Sequence, residues 1–280
     1  MQARSLRFPL ALFLLALAGA LPLGAQQPGV PDLARRSSLI FTATVEKPDT
    51  VTAGVPAGGD NSIDTVAARV DRVLDAPPAI GILPQQMLTI RGSGLAAGDQ
   101  RIFFAQPYWI GATLAVDVVG ALPTTPAAAV DAVAQQVAKT RQADADAALL
   151  ARLKSAALIV AGRVVRPPHR LPPSGIASEH NPDWWSAAVE ATPLQGAAAK
   201  QVVEVAFAHN YDTYWASAPK LHLGDEAIFL LHRFAPPDAQ ARVHGAFEVP
   251  PVSGLLVLDP LDVQPLAARA RILALLKTGR

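Results

Sequence analysis

The chain carries one pattern twice. Ser38-Leu39-Ile40-Phe41-Thr42-Ala43-Thr44-Val45 is followed by Leu95-Ala96-Ala97-Gly98-Asp99 and then Ile102-Phe103-Phe104. In the second half, Ala157-Leu158-Ile159-Val160-Ala161-Gly162-Arg163-Val164 is followed by Leu221 to Asp225, ending in Gly224-Asp225, and then Ile228-Phe229-Leu230. A duplication of this size constrains the chain to two similar β-rich domains. The expected organisation is a leader over 1–25, a first domain over 26–122, a helical connector over 123–154 and a second domain over 155–280.

The leader reads as an export signal. Arg4 and Arg7 supply a short positive region, Leu10 to Leu17 is an uncharged apolar run, and small residues follow at Ala18-Gly19-Ala20 and Gly24-Ala25. Cleavage is expected after Ala25, with Ala20 as the alternative. The apolar run is short of the roughly 20 residues that a spanning helix needs. No later segment is long and apolar enough to span, so the mature chain is expected to have no stable membrane insertion and to reside in the periplasm or outside the cell. There is no cysteine, so neither disulfides nor a lipidated cysteine can anchor these domains. Each must rest on an ordinary core, for which 51% apolar residues provide the material. A formal charge of +1, with no basic block interleaved with aromatics, gives no indication of a nucleic-acid groove.

Within the first domain, a helical turn over Leu33 to Arg36 leads into a strand over Leu39 to Val45. A long Pro/Gly/Asp-rich loop follows over 46–62. Further strands are expected over Thr65 to Leu74, Met87 to Arg91, Ile102 to Phe104 and Ala112 to Val119. In the connector, Thr125 can cap a helix with Pro126 at its first position. Val130, Val133 and Val137 share one face, and the polar stretch 140–146 is a candidate interruption. The second domain repeats the plan: strands over Ala157 to Val165, near Trp185 to Ala191, over Gln201 to Ala208, within Leu221 to Leu231 and over Gly254 to Leu258. An amphipathic helix over Pro265 to Lys277 closes it.

Five or so strands with long loops fit a small barrel of the oligonucleotide/oligosaccharide-binding (OB) type, so the expected fold class is mainly β, with two tandem five-stranded OB-like barrels and connecting and C-terminal helices. The "ALIVAGRV" opening, the "V-x-V" strands and "L-x-x-GD-x-x-IFLL" resemble the tissue inhibitors of metalloproteinases and the netrin-like modules, which have that fold. Those inhibitors hold the protease zinc through an N-terminal cysteine. This chain has no cysteine, so the resemblance implies the fold and not the inhibition. The second domain is also similar to uncharacterised exported bacterial proteins carrying "SEH-x-P-x-W" and "D-x-x-W-x-x-APK" segments, here Ser178 to Trp184 and Asp212 to Lys220.

All six histidines, His169, His180, His209, His222, His232 and His244, fall in the second domain. Any special site is therefore expected there. Two segments concentrate imidazole, carboxylate and large aromatics on loops beside strands: Glu179, His180, Asp183, Trp184 and Trp185 in one, His209, Tyr211, Asp212 and Trp215 in the other, with Tyr214 beside them. Three readings compete. His180, His209 and a carboxylate (Asp212 or Glu179) could converge on zinc, although no HxH or HExxH spacing supports it. The aromatics could form a platform for a sugar, peptide or protein. Or the tryptophans could plug the open end of the barrel while polar residues tie down loops.

Nucleophilic catalysis has less support than any of these. Ser174, Ser178, Ser186 and Ser217 lack the G-x-S-x-G elbow, Gly92-Ser93-Gly94 reads as a turn, and Gly58-Gly59-Asp60 has no following lysine to make a phosphate loop. Glu190 and Glu204 are expected to face solvent. The expected function is a non-catalytic binding module, with no cofactor, no metal and no catalytic residue. It would recognise an envelope or extracellular protein or a polysaccharide through second-domain loops. The alternatives are a metal-binding protein or metal-dependent hydrolase using the histidines, and a structural envelope component. Oligomeric state is left open.

Overall fold

The computed structural model describes residues 28–48, 64–110, 113–172, 183–196, 199–210, 215–233 and 254–278. The leader, most of the 46–62 loop and His244 lie outside these residues. The chain divides between Ala138 and Lys139 into two compact units. The first contains α1 (Val30–Arg35) and strands β1 (Leu39–Pro48), β2 (Thr65–Asp75), β3 (Met87–Arg91), β4 (Gln100–Ile110) and β5 (Thr113–Pro123). They close into a barrel in the order β1-β2-β3-β5-β4, with β4 returning to β1. All neighbours are antiparallel except β3 and β5, which run parallel.

The second unit contains β6 (Leu158–Val164), β7 (His169–Arg170), β8 (Trp184–Pro193), β9 (Gln201–Ala208), β10 (Glu226–Arg233), β11 (Leu255–Val257) and β12 (Val263–Gln264). Its ring runs β6-β8-β9-β11-β10 and closes through β10 on β6. Here β9 and β11 form the parallel pair. The two units are therefore five-stranded OB-like barrels of one topology, as the duplication implies. The two-residue strands β7, on β8, and β12, on β10, are additions that the hydrophobic pattern does not announce.

The shared motifs do the same work in both barrels. Val45 N–H donates to the Asp99 carbonyl at 2.9 Å and its own carbonyl accepts from Gly98 N–H at 2.8 Å. In the second barrel, Val164 makes the same pair of bonds with Asp225 at 3.0 Å and Gly224 at 2.9 Å. The aspartate side chain then closes the turn on itself. Asp99 Oδ2 accepts from Ala96 N–H at 3.3 Å and Asp225 Oδ2 from His222 N–H at 2.7 Å. The glycines have φ of +86° and +91°, the left-handed region that side-chain-bearing residues enter at a cost. This Gly-Asp latch fixes the end of the first strand of each barrel against the start of the fourth.

The runs Ile102-Phe103-Phe104 and Ile228-Phe229-Leu230 are continuously apolar because both faces of these strands are covered. Phe103 points into the first barrel, where it joins Leu39, Phe41, Val70, Leu88 and Val116, with its ring stacked on that of Phe41 at 5.7 Å. Ile102 and Phe104 point outward beneath Leu33 of α1 and Val133 and Val137 of α2 (Ala128–Ser155). Likewise Phe229 packs inside the second barrel with Val160, Val189, Phe207 and Leu231. Ile228 and Leu230 meet Leu149 and Leu153 of α2 and Ile272 of α3 (Arg269–Thr278).

Helix α2 starts at Ala128 rather than Pro126 and runs without a break through 140–146. That stretch is polar, but it contains no glycine or proline, and alanine, glutamine and arginine are good helix formers. Thr140 is buried and the residues after it are partly or fully exposed, so polarity here marks the more exposed middle of a continuous helix, supported by Gln142 to Asp146 at 3.0 Å, one turn apart. No helix among the described residues is long and apolar enough to cross a membrane.

Two predictions follow from the latch. A Cβ at Gly98 would meet nothing within 4 Å, so Gly98→Ala tests backbone conformation alone. It should cost about 1–2 kcal/mol in urea unfolding. The Asp99 carboxyl is held below the usual carboxylate range, first by the Ala96 N–H and then by Arg101. A depressed folded value gives stability that is present above the unfolded value of about 4 and lost as pH falls through the folded value. Asp99→Asn should therefore flatten the acid limb of a stability–pH curve below about pH 4, and an unchanged limb would contradict this role.

Candidate functional site in the second barrel

Strand alternation separates the two adjacent tryptophans. Trp184 pairs with Ala208 and Trp185 with Phe207 across the β8–β9 ladder, so their side chains leave on opposite faces. Trp185 turns to the barrel interior and packs against the core that contains Phe207. His209, just beyond β9, stacks on it with ring centroids 4.4 Å apart and planes at 27°. Phe207 meets His209 edge-on at 6.1 Å. The His209 position is fixed by its N–H, which donates to the Asp183 carbonyl at 2.8 Å. Asp183 in turn pairs with Arg170 of β7 at 2.5 Å. Asp183, Trp185 and His209 thus gather at one open end of the barrel, both rings half-buried.

Trp184 and Trp215 go elsewhere. Their rings meet edge-to-face at 6.0 Å on the outer surface of the sheet, packed with Leu171, Ala206, Ala208, Ala218 and Leu256. They are 7% and 6% exposed, so neither offers a flat face to a ligand. The Trp215 turn is held by Lys220, whose Nζ donates to the Trp215 and Ala218 carbonyls at 2.9 Å each. Burial lowers the Lys220 pKa from its ordinary value. Glu179, His180, Tyr211 and Asp212, with Ser174, Ser178 and Tyr214, lie outside the described residues. Glu190 and Glu204 are partly to largely exposed and pair with Lys200 at 2.6 Å and Arg166 at 2.9 Å.

One feature of the Trp185 end is chemically incomplete. The Trp185 Nε1 atom is buried and has no hydrogen-bond partner among the described residues. A buried indole N–H ordinarily finds an acceptor, because leaving it unmet costs about 1–3 kcal/mol. No group of three or more His, Asp or Glu among the described residues is arranged to hold a metal ion.

The most elaborate polar cluster was not legible in the sequence. Asp262 is fully buried, yet both carboxylate oxygens are saturated. Oδ1 accepts from Arg152 Nε and Nη2 at 2.9 and 2.6 Å and from His232 Nε2 at 2.9 Å. Oδ2 accepts from Arg152 Nη2 at 2.6 Å and from the Leu258 and Asp259 N–H groups at 2.9 Å each. Asp259 and Asp262 also cap each other's backbone around the turn Pro260–Asp262. The Asp-Pro-Leu-Asp run is the local signature of that turn. Nothing local points to Arg152, 110 residues away. The arrangement ties α2, β10 and the turn after β11 to one buried charge, and it satisfies that charge completely. Above it lies a cleft of about 470 Å³.

These placements give distinct mutational outcomes. Trp184→Ala and Trp215→Ala should each lose about 3–5 kcal/mol in chemical denaturation, as core truncations do. Asp262→Ala should lose a similar 3–5 kcal/mol, because Arg152 and His232 would keep their burial without their acceptor. A loss below about 1 kcal/mol for Asp262→Ala would show that the cluster is not the anchor described.

No protein-family model matches this chain, and a comparison with curated proteins finds no match.

Proposed function

We propose that this chain is a non-catalytic binding module that recognises a protein or polysaccharide through the open end of the second barrel. The observation that carries the reading is the Trp185 indole N–H, buried at that end without an acceptor among the described residues and beside a stacked imidazole. An aromatic face with an unmet donor and a flanking Arg170–Asp183 pair combines apolar contact with polar direction, as recognition sites do. The residue set Asp183, Trp185 and His209, with the flanking segments that carry Glu179, His180, Tyr211 and Asp212, forms the proposed surface. Trp184 and Trp215 support it from the other face of the sheet.

The amino-terminal features over 1–25 favour export, and with it an envelope or extracellular partner. A netrin-like or metalloproteinase-inhibitor ancestry is in keeping with two barrels of this topology. The zinc-binding device of those inhibitors has no counterpart here, since the chain has no cysteine.

The direct test uses Trp185→Phe, which keeps a smaller stacking ring and removes the N–H along with part of the indole, set beside Trp185→Leu and Trp185→Ala to separate ring loss from loss of the donor. The phenylalanine variant should stay folded with a modest loss of stability from the smaller ring, and it should bind envelope polysaccharide or envelope protein at least about tenfold more weakly, the value of one charged or buried hydrogen bond. Capture that is unchanged in both Trp185→Phe and His209→Ala would remove this end of the barrel from consideration.

A further inference from the structure

The first barrel is polar along its axis in a way that neither its core nor its closure requires. Strand directions place the start of β1, the β2–β3 loop over 76–86 and the β4–β5 turn at one end. The far end of β1 and the latch lie at the other, with Glu46, Lys47, Asp99 and Arg101. Both segments that build the first end lack formal charge: Ala76 to Ile90 and Ile102 to Val116 contain no Asp, Glu, Lys or Arg. Among the described residues of the first unit, the exposed large apolar side chains all belong to this end: Leu83 at 64%, Trp109 at 62% and Met87 at 38%. Several such side chains gathered at one rim mark a contact surface, where scattered ones would not.

Strand β4 outruns its first partner. The β1–β4 ladder ends at Leu39–Ala105, and β4 continues to Ile110 against β5 alone. Trp109 stands near the tip of that projection, opposite Leu114. Tyr108 leaves on the other face, where the Arg91 guanidinium covers its ring at 4.8 Å and is matched by Asp117 at 2.5 and 2.8 Å. Met87 has Arg69 as its cross-strand neighbour, and that guanidinium is matched by Glu46 and Asp71. Arg36, by contrast, is exposed and forms no ion pair among the described residues. Its carbonyl accepts from Gln106 Nε2 at 2.5 Å, which holds it beside β4. Gln106 is three residues behind Trp109, roughly 10 Å along a strand.

An uncharged aromatic rim with an unmatched guanidinium behind it has the layering of a bilayer surface, where indole rings sit at the headgroup boundary and cations meet anionic headgroups. An added strand is a poor occupant of the projecting edge, because Pro107 offers no N–H and proline is one device by which edge strands resist pairing. A protein patch of ordinary composition would bring a polar, charged rim to loops that have no charge to answer it. We propose that this end of the first barrel is a reversible contact site for an anionic lipid surface. Trp109 and Leu83 enter the boundary between headgroups and acyl chains, and Arg36 meets the headgroup charge. Two such side chains and one cation sustain a peripheral contact and not a span. The site is separate from the Trp185 end of the second barrel.

Vesicle sedimentation of the chain from Gln26 to Arg280, which lacks the apolar run over 10–17, tests the assignment. The expected result is saturable binding to vesicles of phosphatidylethanolamine and phosphatidylglycerol, and binding about fivefold weaker to phosphatidylcholine alone. Trp109→Ser should keep the parent melting temperature and weaken both by about tenfold or more. Leu83→Ser should weaken both by a smaller factor, and Arg36→Gln should abolish only the preference for the anionic vesicles. Lipids brominated along their acyl chains should quench tryptophan emission in the parent chain and not in Trp109→Ser. No binding to either vesicle, or unchanged binding of Trp109→Ser, would overturn the proposal. So would binding that depends on Arg36 alone, which is adsorption by charge. Self-association of the parent that Trp109→Ser abolishes would assign the rim to a second copy of the chain and overturn it equally.

Discussion

Closure of a five-stranded ring is the constraint on which both domains depend. In each barrel the first strand must pair with the second on one side and the fourth on the other, although the fourth arrives after a long excursion of chain. The Gly-Asp latch sets where that return begins. Val45 and Val164, the last residues of the duplicated opening segments, exchange the same two backbone bonds with Asp99/Gly98 and Asp225/Gly224. A glycine supplies the left-handed turn, and an aspartate side chain accepts from a turn amide that would otherwise bond only to water. A one-residue slip at this point would move Phe103 or Phe229 from the core to the outer face. Register in the closing strand thus follows from the latch, and the barrel interior follows from that register.

The second consequence of closure is that these barrels have two apolar faces to bury. The interior is filled from all five strands, and the outer side of the closing strand needs a cover. Helices α1 and the first half of α2 supply it in the first unit, the second half of α2 and α3 in the second. In the second unit, part of the outer surface has acquired further chemistry. Trp184 and Trp215 form a satellite core under the turn that Lys220 ties down, and Asp262 gathers Arg152 and His232 beside a cleft. The duplicated scaffold is common to both halves, and the halves differ in these additions to the second unit.

The barrels were largely legible in the sequence because their signals are local: alternation in Gln201 to Ala208, the three-residue apolar runs, and the Leu-x-x-Gly-Asp turns. The candidate site was only partly so. Adjacent Trp184 and Trp185 read as one aromatic cluster, but a strand sends neighbours to opposite faces, and only the β8–β9 register shows which one enters the barrel. The continuity of α2 was obscured by equating a polar stretch with a break, when its apolar contacts come from Val130, Val133 and Val137 on one side of that stretch and Leu149 and Leu153 on the other. The Asp262 cluster was hidden because it joins residues from three distant segments, and its histidine was one of six with nothing in its own neighbourhood to single it out. Such long-range polar pairing has no periodicity to read.

Site-resolved amide hydrogen exchange on the full chain tests the closure account most directly. The Val45, Gly98, Val164 and Gly224 amides should exchange with the slowest class in their own barrels, alongside the central strand amides of β1 and β6. Exchange of these four at the rates of exposed turns, while the neighbouring strands stay protected, would show that the barrels hold without the latch and would contradict the account.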